Sequence, residues 1–131
     1  MKQLDSNTLN RIHDEFRKRI EEDDLMIAYE VYAIDRVLLS YMDPRLSKDK
    51  ANWLRRKRNV VLTFGQSSLA IAEKNNYNQD EFNSKYGYSY EDMTLTGGAV
   101  PVLDETDTMI GVITVTGLTP QEDHDLELSV I

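Results

Sequence analysis

Residues 96–122 read TGGAVPVLDETDTMIGVITVTGLTPQE, and they carry the clearest secondary-structure signals of the chain. Two runs rich in β-branched residues, 99–103 and 109–116, flank a polar turn at 104–107, which predicts a β-hairpin. Gly97-Gly98 opens this hairpin, at a position where glycine favours a bulge or a close approach of two backbones.

A helix start follows the hairpin directly. Thr119 is a good N-cap, Pro120 suits the first helical position, and Glu122 completes a capping box. Upstream, residues 25–34 and 37–42 are rich in β-branched and aromatic residues, and a turn separates them. They predict a second hairpin.

Helices fill the rest of the predicted order. Residues 49–75 predict one long helix or two in series, with Gly65 as the weak point, and residues 78–87 predict a short capped helix. The order helix, hairpin, long helix, hairpin, helix predicts an α/β fold of the α+β type, a mainly antiparallel sheet with helices packed on it. The first helix is indicated by the apolar stripe Leu9, Ile12, Phe16 and Ile20.

Composition narrows the classes of protein. A chain of 131 residues is the size of one domain, and we expect residues 1–131 to form one. The chain has no cysteine, which excludes disulfides and thiolate ligands. The start Met1-Lys2-Gln3 continues without an apolar core, so we expect no signal peptide, no membrane partner and a cytoplasmic location. The net charge of −8 argues against nucleic acid as a partner.

Charges are segregated along the chain. Seven of the 15 basic side chains lie in residues 45–58, whereas residues 86–131 hold nine acids and no Lys or Arg. Either both regions are solvated surfaces, or they attract each other within the fold or between subunits.

Three segments in register carry a family resemblance. In their order and spacing they resemble the UPF0303 branch of the GlcG/HbpS-like group (DUF336), over about residues 8–126. The segments are WLRRKRNVV (53–61) followed by FGQSS (64–68), GGAVP (97–101), and GVITVTGL (111–118) running into QEDH (121–124).

The resemblance implies a profilin-like, GlcG-like fold with an antiparallel sheet of about five strands, the fifth near residues 93–96. It also implies homo-oligomers, and some relatives in the group bind haem or are described as haem-degrading. The chain departs from the group at Gln66 and Thr96, where relatives often have His, and it lacks the Glu-x-x-Glu iron-binding pattern. Haem is therefore implied by resemblance alone, and no metal ligand is assigned.

Histidine and serine are the residues to consider first for chemistry. His13 lies beside an apolar helix stripe, and we expect it to be structural or exposed. His124 lies in the first turn of the last helix, which is either a solvated acidic surface or a weak cation site. Ser67-Ser68 has no His or Lys beside it in the sequence to activate it, so serine catalysis is not expected.

Lys57 is placed by helix geometry in the apolar stripe of the basic helix. With about 100° per residue counted from Trp53, Val60 and Phe64 lie within roughly 20° of that residue, and Ser68 lies near 60°. Lys57 falls at about 40°, in the middle of the stripe. A buried ammonium needs a partner, a shifted pKa or a route to water.

Two outcomes are open for Lys57. Its ammonium meets a carboxylate, such as Glu122 or Asp123, in a structural pair. Alternatively, it lines a pocket and supplies the positive charge for a ligand, with Arg56 or Arg58 at the rim.

The sequence favours a non-catalytic, oligomeric protein that binds a small anionic ligand, for which Arg side chains are good partners. One alternative is a haem-binding or haem-degrading protein, and another is an interaction oligomer without a small ligand. No catalytic residue is assigned. The candidate ligand-binding residues are Trp53, Arg56, Lys57, Phe64, Ser68, Gly97, Gly98 and His124.

Overall fold

Helices and strands alternate in the predicted order. The structure, a computed structural model, describes residues 3–131. Met1 and Lys2, which open the segment used above to argue against a signal peptide, lie outside the described residues. The elements are α1 (Ser6–Asp23), β1 (Ala28–Ala33), β2 (Arg36–Met42), α2 (Asp49–Phe64), α3 (Ser68–Lys74), α4 (Gln79–Tyr86), β3 (Ala99–Leu103), β4 (Met109–Thr116) and α5 (Pro120–Val130).

The sheet has the order β2-β1-β4-β3, and every neighbouring pair is antiparallel. Each predicted hairpin forms one half of the sheet. The two halves meet at the centre, where β1 pairs with β4. Glu30 on β1 lies opposite Thr114 on β4 at this central seam. The α+β fold with an antiparallel sheet is confirmed.

The expected fifth strand at residues 93–96 is not formed, and the sheet within residues 3–131 has four strands. The side chain of Gln79 explains the difference, since its amide accepts a hydrogen bond from the Leu95 N–H at 2.9 Å and donates one to the Met93 carbonyl at 3.2 Å. A side chain therefore satisfies the backbone groups that a neighbouring strand would otherwise use.

The region 49–75 is two helices in series. Gly65 adopts a left-handed conformation, with φ 69°, and its N–H caps α2 at Val61. Ser67 then caps α3 by accepting from the Ala70 N–H. The predicted start of α5 is also confirmed, because Thr119 and Glu122 form a capping box with Pro120 in the first turn.

Helices cover the two faces of the sheet. The face with α1 and α5 carries Val100 and Ile113, whereas α2 packs on the opposite face, where Val61 contacts Ala99 and Val112. Consecutive strand residues point to opposite faces, which explains this division. None of the helices in residues 3–131 has the length and apolarity needed to cross a bilayer.

Candidate functional site

Lys57 crosses from α2 to the start of α5 beside the end of the sheet. Its side chain is buried, and the residue is 3% exposed. The ammonium Nζ donates to Asp123 Oδ2 at 3.1 Å and to the Val115 carbonyl at 2.9 Å. Lys57 lies in the apolar stripe, as the helix geometry predicts. Of the two outcomes left open for it, the pairing with a carboxylate is formed with Asp123, and the ligand role stays a prediction.

The glycine pair makes room for this arrangement. A Cβ on Gly98 would lie 2.6 Å from Lys57 Nζ and 2.7 Å from the Val115 carbonyl oxygen, and the residue has φ 129°. A Cβ on Gly97 would lie 2.6 Å from the Pro120 carbonyl oxygen. Gly97 thus allows the close approach of α5, while Gly98 allows both an unusual backbone conformation and the approach of the ammonium.

A second carboxyl, Glu127, lies one helical turn beyond Asp123 on α5 and is fully buried. Neither of its oxygens has a hydrogen-bond partner of normal geometry among the described residues. Burial raises the pKa of Glu127 well above its usual range; the charge of Lys57 opposes this shift, and that of Asp123 adds to it. The three side chains form a buried cluster with one ammonium and two carboxyls.

Asp123 is the carboxyl of the cluster that accepts hydrogen bonds from protein donors. Besides Lys57, it accepts a hydrogen bond from the Leu118 N–H at 3.1 Å. Burial raises the pKa of Asp123, and the Lys57 charge and these hydrogen bonds oppose that rise. Of the two carboxyls, Asp123 is therefore the one whose charged form the protein stabilises more, and Glu127 is the one whose neutral form is favoured more.

A pocket of about 220 Å³ opens above this cluster. One wall is the basic helix α2, and the other is the turn between β4 and α5. Lys50, which lines the pocket, makes no salt bridge with any residue in 3–131. The lining residues are Lys50, Trp53, Lys57, Thr96, Thr116, Gly117, Leu118, Pro120 and Asp123.

Trp53 and Lys57 are the sequence-predicted residues that line this pocket. Gly97 and Gly98 lie behind it, against Pro120 and Lys57, and do not line it. Arg56 lies next to the pocket rather than in it. Its guanidinium is held over the rings of Trp53, at 4.5 Å, and Tyr90, at 4.1 Å, and it donates to the Tyr90 carbonyl.

Three other predicted residues lie away from the pocket. Phe64 packs in an aromatic group with Phe82 and two tyrosines. Ser68 is buried and bonds to both the N–H and the carbonyl of Ala99, which ties α3 to β3. His124 is half-buried on α5, and its Nδ1 has no partner among the described residues.

Glu127 is the functional candidate that the sequence reasoning missed. It follows Asp123 by four residues and lies on the inward face of α5 that also carries Leu126 and Val130. Residues four apart share a helix face, so the same helical geometry that located Lys57 would have located Glu127.

A second crevice, of about 390 Å³, lies between α1 and the β1–β2 half of the sheet. His13 Nδ1 is hydrogen-bonded to the hydroxyl of the buried Tyr29 at 2.6 Å. Burial raises the pKa of Tyr29 to about 12, so its hydroxyl stays protonated at neutral pH. The crevice is lined by His13, Arg17, Ile20, Glu21, Tyr29 and Tyr41.

Metal-ligating side chains do not converge in the part of the chain that the structure describes. No group of three or more His, Asp or Glu residues there is arranged to hold a metal ion. Asp123 turns inward to Lys57, which separates it from the solvent side of α5 and from the cation site considered for His124.

Comparison with known proteins assigns the family. A family model described as "Haem degrading protein HbpS-like" matches residues 4–130. The chain belongs to the HbpS-like family. Among curated relatives of this HbpS-like chain, a UPF0303 protein from Serratia proteamaculans (strain 568) is 35% identical over 128 residues, which cover 98% of this chain and 80% of that protein.

Solved structures confirm the fold of this HbpS-like chain. The crystal structure of Ybr137w protein matches with a TM-score of 0.89 at 21% identity, over 99% of this chain and 77% of that one. A crystal structure of a PduOC:Heme complex matches with a TM-score of 0.76 at 12% identity, over 98% of this chain and 93% of that one.

Proposed function

We propose that this protein is a non-catalytic binder of a small anionic molecule, held in the pocket between α2 and the start of α5. The observation that carries the proposal is the geometry of Lys57. An ammonium can donate three hydrogen bonds, and Lys57 uses two of them, to Asp123 and the Val115 carbonyl. The third is available to a ligand in the pocket that Lys57 lines.

Two neighbours of Lys57 support an anion over other ligands. Lys50 adds a positive charge that has no acidic partner among the described residues, and Trp53 offers a flat apolar wall. The pocket, at about 220 Å³, is smaller than the roughly 300–1,000 Å³ of sites for drug-sized ligands. A small carboxylate with a planar apolar part fits this combination of size and chemistry.

The ion pair between Lys57 and Asp123 at the floor of the pocket favours a binding role over a catalytic one. Lys57 and Asp123, the buried ionisable groups of the pocket, are bonded to each other. A group engaged in such a pair is held in place, whereas a general acid or base must be positioned to exchange its proton with a substrate.

Trp53 fluorescence is the direct test, because it is the single tryptophan of the chain and lines the pocket. Benzoate, phosphate and short aliphatic carboxylates are titrated at moderate salt. Lys50→Met should weaken benzoate binding by roughly fivefold, equivalent to about 1 kcal/mol, without loss of stability. Lys48→Met, two residues away and exposed, is the matched control. Unchanged fluorescence at millimolar concentrations of every anion contradicts the proposal.

Haem binding is the second candidate, since the family description names haem degradation. The anion pocket does not suit haem, because its lining has no His, Cys, Met or Tyr to bind iron. The crevice beside α1 does suit it. His13 can present Nε2 when its Nδ1–H donates to the Tyr29 hydroxyl oxygen. Arg17, which pairs with Asp14 at 3.1 Å, is the cation of the lining that a propionate could recruit.

A haem titration followed by absorbance separates the candidates. Bound haem in the crevice should show an imidazole-ligated spectrum that His13→Gln abolishes. His124→Gln is the matched control, because His124 lies on α5, outside the crevice. Equal haem affinity in both variants, or none in the unmodified protein, would rule this candidate out.

A further inference from the structure

The buried cluster has one ammonium for two carboxyls, and this imbalance bears on what the pocket can hold. Glu127 and Asp123 are both within 1% of complete burial. Lys57 is the basic side chain that acts on Glu127 from α2, Asp123 is the acid from its own helix, and β3 contributes the backbone N–H of Val100. One positive charge cannot neutralise two buried negative charges.

We infer that the pocket binds its anion only while Glu127 holds a proton, so that ligand binding and proton retention are coupled. This inference rests on the proposed function and adds the regulation of the same site. Its basis is the position of Glu127, which is fully buried, has no charged hydrogen-bond partner and lies one helical turn behind the carboxylate that Lys57 already contacts.

With Glu127 protonated, the cluster is neutral. Lys57 and Asp123 cancel, and Lys50 leaves the pocket with a net positive charge toward an anion. With Glu127 ionised, the cluster carries a net negative charge below the pocket floor. Charges in a poorly solvated interior act strongly on each other, so this charge both repels the ligand and draws the Lys57 ammonium away from it.

Reciprocity gives the effect a second signature. If ionisation of Glu127 weakens anion binding, then bound anion must raise the pKa of Glu127 by the matching free energy. Anion binding at a pH above the pKa that Glu127 has in the ligand-free protein therefore takes up a proton. For the same reason, the apparent dissociation constant of the anion rises with pH.

Benzoate titrations of Trp53 fluorescence across a pH series test the coupling. In the unmodified protein the dissociation constant should rise by up to about tenfold per pH unit above the pKa of Glu127. Glu127→Gln keeps the shape of the neutral carboxyl and cannot ionise, so its benzoate affinity should be independent of pH. His124→Gln, which changes the neighbouring imidazole on α5, should follow the unmodified protein.

A ligand-free measurement checks the premise. Because the folded pKa of Glu127 is raised above its ordinary value of 4.5, the folded state holds this proton more tightly than the unfolded state. The contribution of Glu127 to the unfolding free energy is then largest below pH 4.5 and falls as pH rises through the folded pKa. Urea denaturation should show this fall in the unmodified protein and its loss in Glu127→Gln.

The outcomes separate the inference from the proposed function. Benzoate binding with the same pH dependence in the unmodified protein and in Glu127→Gln overturns the inference and leaves the proposed function standing. An unfolding free energy with the same pH profile in both proteins also overturns the inference. Absence of anion binding at every pH in both proteins overturns the proposed function, and the inference with it.

Discussion

Lys57 is the side chain on which both the fold of α5 and the chemistry of the pocket depend. Lys57→Met keeps the apolar stem and deletes the charge, which leaves Asp123 and Glu127 buried without a cation. Breaking a buried pair in this way costs about 3 kcal/mol. We expect that loss in urea denaturation at pH 7, and a smaller loss at acidic pH, where Asp123 becomes neutral as well.

Two further variants make the Lys57 prediction specific. Lys57→Met combined with Asp123→Asn should recover part of the lost stability, because the acid left without a partner is also removed. Lys18→Met, on the exposed side of α1, should be neutral. If Lys57→Met is as stable as the unmodified protein, the pair with Asp123 does not form.

Gly98 is the residue where a side chain would do most damage. Valine there would place a Cβ within 2.7 Å of both Lys57 Nζ and the Val115 carbonyl oxygen, at φ 129°. The backbone strain alone costs about 1–3 kcal/mol, so Gly98→Val should lower the unfolding free energy by more than about 1 kcal/mol. The melting temperature measured by circular dichroism gives the shift.

Gly65→Ala is the control for Gly98→Val. Gly65 also has a positive φ, but a Cβ there meets no atom within 4 Å. The loss of unfolding free energy in Gly65→Ala should therefore come from backbone conformation alone. It should be smaller than the loss in Gly98→Val, which adds a steric conflict. Equal losses at both positions would mean that the space around Gly98 is not restricted.

Site residues could be predicted from the sequence where a short stretch of chain determines their position. Lys57 was located from the periodicity of one helix, and its partner from a shortlist of nearby acids. Glu127 was missed, because the predictions for α5 concern only its first turns, with the capping box and His124. Whether Arg56 and Phe64 face the pocket depends on where Tyr90 and Phe82 pack, and such long-range packing leaves no pattern in the sequence.

At the level of elements, the hairpins and capped helices were predictable because their signals are contained in a few consecutive residues. The pairing of β1 with β4 was not predicted, since it joins strands far apart in the chain. Residues 93–96 were expected to be a strand and are not. The reason is a single side chain, Gln79, supplied by a helix that precedes them.

Gln79→Met tests the role of that side chain. The change keeps the length of the side chain and removes both hydrogen bonds to the buried Met93 and Leu95 backbone. Each buried group left unsatisfied costs about 1–3 kcal/mol, and two groups are affected. The unfolding free energy should therefore fall by about 2–6 kcal/mol. Asp80→Ala, on the exposed side of α4, is the control. Amide exchange at Leu95 that stays as slow as in the unmodified protein would contradict this role.

At the level of the whole molecule, some of the segregated basic and acidic side chains form ion pairs with each other. Arg55 pairs with Asp92 at 3.1 Å and Lys57 pairs with Asp123, so the basic helix contacts the acidic C-terminal region in two places. Of the readings left open by the sequence, these two pairs favour attraction between the two regions within the fold. The exposed pair with Asp92 is screened by salt and contributes little, whereas the buried pair organises the pocket.

The open edges of the sheet favour self-association of the chain. An edge strand exposes unpaired backbone groups, and proteins protect such edges with charges or proline. Pro101 interrupts β3, but β2 carries a single charged residue, Arg36, and begins at an exposed apolar hairpin in which Val37 is 47% exposed. We therefore expect two copies to associate through β2.

Light scattering at micromolar protein should then give a mass of at least two chains, above the 15.1 kDa of one. Moderate salt is needed, because the net charge of −8 makes copies repel each other at low ionic strength. Val37→Lys should shift the population toward single chains, since it puts an unpaired charge at the contact. Leu103→Lys places the same charge on the β3 edge, where Pro101 already protects the backbone, and should leave the mass unchanged. A mass near 15.1 kDa for the unmodified protein would show that β2 stays uncovered.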